Sequence, residues 1–145
     1  MLSLIQRVLQ ARVTVADESV ATIGHGLLVL VGIEPGDGSP EVARMCTRLL
    51  GYRVFADQQG RMNRSLADIG GDLLLVSQFT LAADTSSGMR PSFSTAATPA
   101  NAERVFDALV TRCRQQHHAV QTGRFGAQML VSLDNDGPVT FLLRA

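Results

Sequence analysis

Two apolar runs set the first limit on what this chain can fold into. Leu27-Leu28-Val29-Leu30-Val31, continuing through Gly32 to Ile33, and Leu73-Leu74-Leu75-Val76 carry no polar residue at alternate positions. A strand with one face in water alternates apolar and polar side chains, whereas an unbroken apolar strand has both faces covered. Neither run approaches the length of about 18 apolar residues needed to span a bilayer, and no other stretch does. They therefore predict central strands in a sheet, and the remaining sequence must supply covering layers on both sides.

Two helices are marked by caps and period. Ser39-Pro40 opens the first, and Val42, Met45, Cys46, Leu49 and Leu50 recur at helical spacing until Gly51 stops it. Thr98-Pro99 opens the second, with a stripe of Ala102, Val105, Phe106, Leu109, Val110 and Cys113 that frays near Gln115 to His118. The rest reads as strands: Leu4 to Val15, a turn at Asp17-Glu18-Ser19, and a return through Val20 to Ile23. At the C-terminal end Met129, Val131 and Leu133 alternate with Gln128, Leu130 and Ser132. Asn135-Asp136-Gly137-Pro138 is then expected to turn the chain into Val139 to Leu143 as a terminal hairpin. The predicted fold is α/β: mixed, mostly antiparallel sheet with the two helices packed outside. No repeat or linker divides the chain, so residues 1–145 are expected to form one domain, large enough to bury roughly 70% of its unfolded surface without metal or disulfide staples.

Charge narrows the partners. All 13 basic residues are arginine, balanced by 13 acidic ones, for a net charge of zero. Such a chain lacks the overall field that drives non-specific nucleic-acid binding, so any RNA contact must come from a local arginine patch. The first residues reach Arg7 without a long apolar stretch, which points to a cytoplasmic protein. Cys46 and Cys113 lie on apolar helical faces and read as buried small hydrophobes rather than disulfide or metal partners.

A hydrolytic site needs an attacking oxygen, a proton acceptor and donors for the oxyanion. The densest polar run beside a buried strand is Ser77-Gln78-Phe79-Thr80, placed where that strand reaches the surface; the same residues could simply satisfy backbone groups at a strand end. His25 lies between two glycines in a turn, and His117 and His118 end a helix, where the dipole accounts for them. The histidines and cysteines lack metal-ligand spacing, so no metal is expected. A second candidate is Gly137-Pro138, either a plain turn or, if cis, a rigid pair of carbonyls turned to one side. A third is a set of arginines in turn-like segments, Arg61, Arg64, Arg90 and Arg124, which are either solvated charges or phosphate contacts.

Three blocks taken together, Ser77-Gln78-Phe79-Thr80-Leu81, Gly88-Met89-Arg90-Pro91-Ser92-Phe93 and Asn135-Asp136-Gly137-Pro138-Val139-Thr140, closely resemble the D-aminoacyl-tRNA deacylase family. The likeness extends to Ile5-Gln6-Arg7-Val8, Gly26 to Leu30, Leu50 to Arg53 and Thr122 to Phe125, and so covers essentially the whole chain. The resemblance implies a barrel-like version of the sheet described above and a homodimer with active sites at the subunit interface. In such a dimer Gly137 and Pro138, as a Gly-cis-Pro pair, enter the partner's site as a gate against L-amino acids. It implies that Ser77, Gln78, Phe79 and Thr80 line the pocket for the aminoacylated 3′ end of tRNA, that Arg7 steadies the Gly-Pro carbonyls, and that Met129 lies beside them. It also implies ester hydrolysis of D-aminoacyl-tRNA and of glycyl-tRNA mischarged on tRNA(Ala), with no cofactor and neither DNA nor membrane as partner. The attacking group is either Thr80 or one assisted by the tRNA 2′-hydroxyl. Rival readings are a non-catalytic RNA-binding module and a hydrolase of free D-amino acid esters.

Overall fold

The two apolar runs lie side by side at the centre of the protein. The computed structural model describes residues 1–145. In it β3 (Gly26–Gly32) and β6 (Asp72–Ser77) pair in parallel, from Gly26 opposite Asp72 to Val31 opposite Ser77. β7 (Val120–Thr122) continues the parallel pairing on the far edge of β6. The longest early strand, β1 (Leu2–Val15), is antiparallel to β3 through residues 2–8 and to β2 (Glu18–Ile23) through residues 11–15, so two strands share one of its edges. Its other edge pairs antiparallel with β8 (Leu130–Arg144). The sheet is thus mixed, and it curls into a nearly closed barrel.

Both faces are covered, as the unbroken apolar runs require. Leu27, Val29, Val31, Leu73 and Leu75 point to a core of 24 buried residues shared with α1 (Ser39–Gly51) and α3 (Pro99–Gln116). Their neighbours Leu28, Leu74 and Val76 face a second cluster with Val8, Ala11, Val13, Ala21 and Ile23, enclosed by the curl of the sheet itself. Leu30, Met129, Val131 and Leu133 edge that cluster only half-buried. No helix is long and apolar enough to cross a membrane.

Both predicted helices form on the expected faces, burying Val42, Met45, Cys46, Leu49 and Leu50 in α1 and the stripe from Ala102 to Cys113 in α3. Gly38 rather than Ser39 caps α1, and the Glu41 carboxylate accepts the Gly38 N–H at 2.9 Å. A third, one-turn helix, α2 (Leu66–Ile69), was not anticipated. It is held by a reciprocal cap: Ser65 Oγ accepts the Asp68 N–H at 3.2 Å and Asp68 accepts the Ser65 N–H at 2.8 Å. The first turn falls at Ala16-Asp17, both at positive φ, one residue earlier than expected.

The terminal hairpin does not form. β8 runs on through Asn135-Asp136-Gly137-Pro138 and pairs with β1 on both sides of it, Ala11 with Leu133 and then Gln6 with Thr140. The turn residues make a local excursion, because the segment beyond them finds its partners on β1 rather than on the segment before them.

Cys46 and Cys113 face each other across α1 and α3, fully buried, with sulfurs 3.6 Å apart and no disulfide. Donation of the Cys113 S–H to Cys46, together with burial, pushes the Cys113 thiol far above its ordinary value, so it stays protonated and unreactive. An aromatic disulfide reagent is expected to label neither thiol in the native protein over the time that fully labels the denatured chain. Rapid native labelling would show that the α1–α3 contact opens.

Candidate active site

The chain leaves the sheet at Ser77. The Gln78 N–H donates to Val31 O at 2.7 Å, holding the exit against β3, and a 3-10 turn over Phe79–Ala82 follows at once. Gln78 Nε2 donates to Thr80 Oγ1 across that turn. Facing this corner are the start of α3, the segment before it, and the loop between β7 and β8. Together they enclose a cleft of about 740 Å³. Ser77, Gln78, Phe79 and Met129 line it, with Phe93, Phe125 and the small residues Ala96, Ala97 and Ala102 among the walls. Phe79 packs on Phe93 with ring centroids 5.1 Å apart, and both remain substantially exposed at the rim. Thr80 is exposed and does not line the cleft.

No titratable side chain contributes to the lining. His25 sits edge-on to Phe55, 5.3 Å between centroids, and His117 is buried with Nε2 2.6 Å from Gly71 O. Asp84 is the carboxylate nearest to Thr80 in sequence, yet its Oδ1 accepts the Ser86 N–H at 2.9 Å. Hydrogen bonds from Ser86 hold that carboxyl below its ordinary range, which makes it a poor base. No group of three or more His, Cys, Asp or Glu side chains is placed to hold a metal ion. The cleft is a mainly apolar slot with hydroxyl- and amide-bearing residues, Ser77, Thr98 and Gln78, in its lining, suited to binding and orienting an ester but without a protein acid or base.

Arg7, Gly137 and Pro138 form a separate group. Val8 pairs with Asn135 and Gln6 with Thr140, so Arg7 alone faces the four residues 136–139, which loop out of the ladder. Within that loop the Gly137-Pro138 peptide is cis, and both residues are exposed. Arg7 Nη1 donates to Val54 O at 2.6 Å, and Nε lies 2.9 Å from Asp136 Oδ2, close enough for an ion pair although the N–H is not aimed at the oxygen. In this chain the polar partners of Arg7 are thus Val54 and Asp136. Arg7 is opposite Leu27 on β3 and Ser77 opposite Val31, a separation of roughly 13 Å along the strand at about 3.3 Å per residue. A single chain therefore brings together Ser77, Gln78, Phe79 and Met129, and apart from them Arg7, Gly137 and Pro138.

The four arginines lie on three separate segments. Arg61 lies in the connection of the small hairpin formed by β4 (Phe55–Ala56) and β5 (Met62–Arg64), Arg64 ends β5 opposite Phe55, and Arg64 Nη2 donates to Asp68 O at 2.9 Å. Arg124 adjoins the cleft residue Phe125 and pairs loosely with Glu18 at 3.6 Å. Arg90 is exposed in the loop closed by the Asp84–Ser92 bridge. Among the cleft walls, Phe93 and Phe125 stood in recognisable blocks, but Ala96, Ala97 and Ala102 carried no signal, since small residues before and within a helix look like helix entry alone.

Comparison with known proteins connects this arrangement to one family. A family model described as D-Tyr-tRNA(Tyr) deacylase matches residues 4–144. A D-aminoacyl-tRNA deacylase of Xanthomonas campestris pv. campestris (strain 8004) is 67% identical over 145 residues, covering 99% of each chain. One from Stenotrophomonas maltophilia (strain K279a) is 69% identical with the same coverage. A solved structure named c-Myc DNA Unwinding Element Binding Protein superposes with TM-score 0.96 at 36% identity, over 100% of this chain and 99% of that one. A probable eukaryotic D-amino acid tRNA deacylase superposes with TM-score 0.87 at 16% identity, over 99% and 98%, a likeness of fold. With its sequence matched from end to end and its fold shared, the chain belongs to the D-Tyr-tRNA(Tyr) deacylase family.

Proposed function

We propose that this protein hydrolyses the ester joining a D-amino acid, or glycine mischarged on tRNA(Ala), to the 3′ end of tRNA, and that it rejects L-aminoacyl-tRNA by shape rather than by chemistry. Family membership makes the chain an enzyme, a hydrolase of the deacylase type. The observation that carries the finer reading is the cleft lining: a mainly apolar slot whose polar lining residues are Ser77, Gln78 and Thr98, with no titratable side chain. Such a site binds and orients the ester while the proton transfers are assisted by the substrate's own 2′-hydroxyl.

The gate is Gly137-Pro138 of a second copy. Because those residues lie outside the cleft of their own chain, on an exposed loop, they are free to enter a partner's cleft, and a homodimer completes each site. Fixed carbonyls at the gate exclude an L side chain and leave the D side chain in the open. Glycine, with no side chain, passes. A DNA-binding role, which the name of one structural neighbour raises for that neighbour, is not favoured by a chain of zero net charge.

The test is ester loss from D-tyrosyl-tRNA, L-tyrosyl-tRNA and a D-tyrosine alkyl ester with pure protein. Only the first is expected to be cleaved efficiently; equal cleavage of the alkyl ester would make this a general esterase, and no cleavage of any would leave a binding module. Thr80→Ala is expected to stay within about tenfold of wild-type activity, the loss of one hydrogen bond at roughly 0.5–1.5 kcal/mol. A D-aminoacyl-tRNA ending in 2′-deoxyadenosine is expected to resist hydrolysis. A loss of several orders of magnitude in Thr80→Ala, with the deoxy substrate cleaved normally, would make Thr80 the nucleophile.

A further inference from the structure

The excursion in β8 has a neck, and one side chain closes it. Asn135 is the last residue of β8 in register with β1 before the excursion, opposite Val8, and Thr140 is the first after it, opposite Gln6. The Asn135 side chain reaches across this gap. Its Oδ1 accepts the Val139 N–H at 3.0 Å, and its Nδ2 donates to Thr140 Oγ1 at 2.8 Å. The backbone donor fixes which end of the amide faces which partner, since only an oxygen can accept from an N–H.

We infer that Asn135 is a specificity-determining positioning residue: it pins both ends of the 136–139 loop and so sets where the Gly137 and Pro138 carbonyls stand. The inference rests on the gate reading given above. Arg7 holds the loop from outside, through its ion pair with Asp136 and its anchor on Val54 O. That hold acts on the leading side of the loop only. The trailing side, Val139 and Thr140, has no side-chain hydrogen bond except those to Asn135. A gate that selects by position needs both sides fixed, because a displacement on the order of 1 Å is enough to change how a reacting group is admitted. Asn135 touches neither the cleft nor any group in it, so its effect on chemistry is indirect.

The position of the two bonds predicts a graded series. Asn135→Ala removes both, and Thr140→Val removes only the one from Nδ2 while keeping the shape of the side chain. Measured as kcat/KM on D-tyrosyl-tRNA and L-tyrosyl-tRNA, the D-over-L preference is expected to fall about tenfold or more in Asn135→Ala, mainly through faster L cleavage, and by less in Thr140→Val. Arg7→Lys is assayed alongside. An unchanged preference in Asn135→Ala with a reduced one in Arg7→Lys overturns the inference and leaves the gate standing. Unchanged preference in both overturns the gate and the inference with it. Loss of D and L activity by equal factors in Asn135→Ala also overturns it, since that is what general damage to the fold would give.

Discussion

Gly137→Ala is expected to lower kcat/KM for D-aminoacyl-tRNA and glycyl-tRNA together, by a factor on the order of 10², while the protein remains folded. Gly137 has φ +121°, a conformation that residues with a Cβ rarely adopt. An added Cβ would lie 2.8 Å from Val139 Cγ2, 3.0 Å from Arg7 Nη2 and 3.2 Å from the Val139 nitrogen. The loop cannot keep its shape under that crowding, and holding such a backbone costs about 1–3 kcal/mol, which at about 1.4 kcal/mol per decade is roughly five- to a hundredfold in rate. On the proposed gate, a displaced or blocked tip would obstruct a partner's cleft for every substrate, including the one without a side chain. The residue is exposed, so the loss should not extend to the core. Arg7→Lys provides the contrast: it keeps the charge but loses the planar fork that reaches both Val54 O and Asp136, so the proposed gate is expected to loosen and L cleavage to rise relative to D. Near-normal turnover of D-aminoacyl-tRNA by Gly137→Ala would remove this loop from the site.

Gly26→Ala is expected to have the largest effect on stability. A Cβ at Gly26 would lie 1.9 Å from Asp72 O and 2.7 Å from both Asp72 C and Asp72 N. All three are main-chain atoms of the strand paired with it, in register, at the start of β6. A flexible side chain could move aside; here the two central strands must separate or slip. Overpacking of this kind costs about 1–3 kcal/mol or more, and the absence of any soft neighbour puts this site at the upper end. For a chain of this size each kcal/mol lowers the melting temperature by roughly 2–4 °C, so a fall near 10 °C is expected by circular dichroism. A melting temperature unchanged within 2 °C would mean that β3 and β6 are not so closely held at this point, with the shift set against roughly 2–4 °C per kcal/mol.

Much of the architecture was legible because its cause is local. Absence of alternation in Leu27 to Ile33 and Leu73 to Val76 identified two strands covered on both faces, and the periods from Val42 and Ala102 identified two helices and the faces they bury. The one-turn helix after Ser65 was also within reach, since its Ser-x-x-Asp cap is a sequence signature, but four residues are too few to show a period. The end of the chain was misread for a different reason. Asn-Asp-Gly-Pro has the chemistry of a turn, and whether a turn becomes a hairpin depends on which strand receives the next segment. Phe141 pairs with Ile5, at the opposite end of the sequence, and no nearby residue records that.

The same division holds for the site. Residue type in short blocks singled out Ser77, Gln78, Phe79 and Thr80 together with Gly137 and Pro138, and the family resemblance added Arg7 and Met129. Their grouping was decided by the tertiary structure alone: Ser77, Gln78 and Phe79 share a cleft with Met129, Phe93 and Phe125, while Arg7 and Asp136 hold the Gly137 loop elsewhere on the same chain. By itself the sequence determined which segments are buried, which are helical and which carry special backbone chemistry, because burial pattern and capping act over a few neighbouring residues. Only the tertiary structure decided that the cleft and the loop are separate, because that depends on strand pairings between residues more than a hundred positions apart, where partner and register are set by packing of the whole sheet.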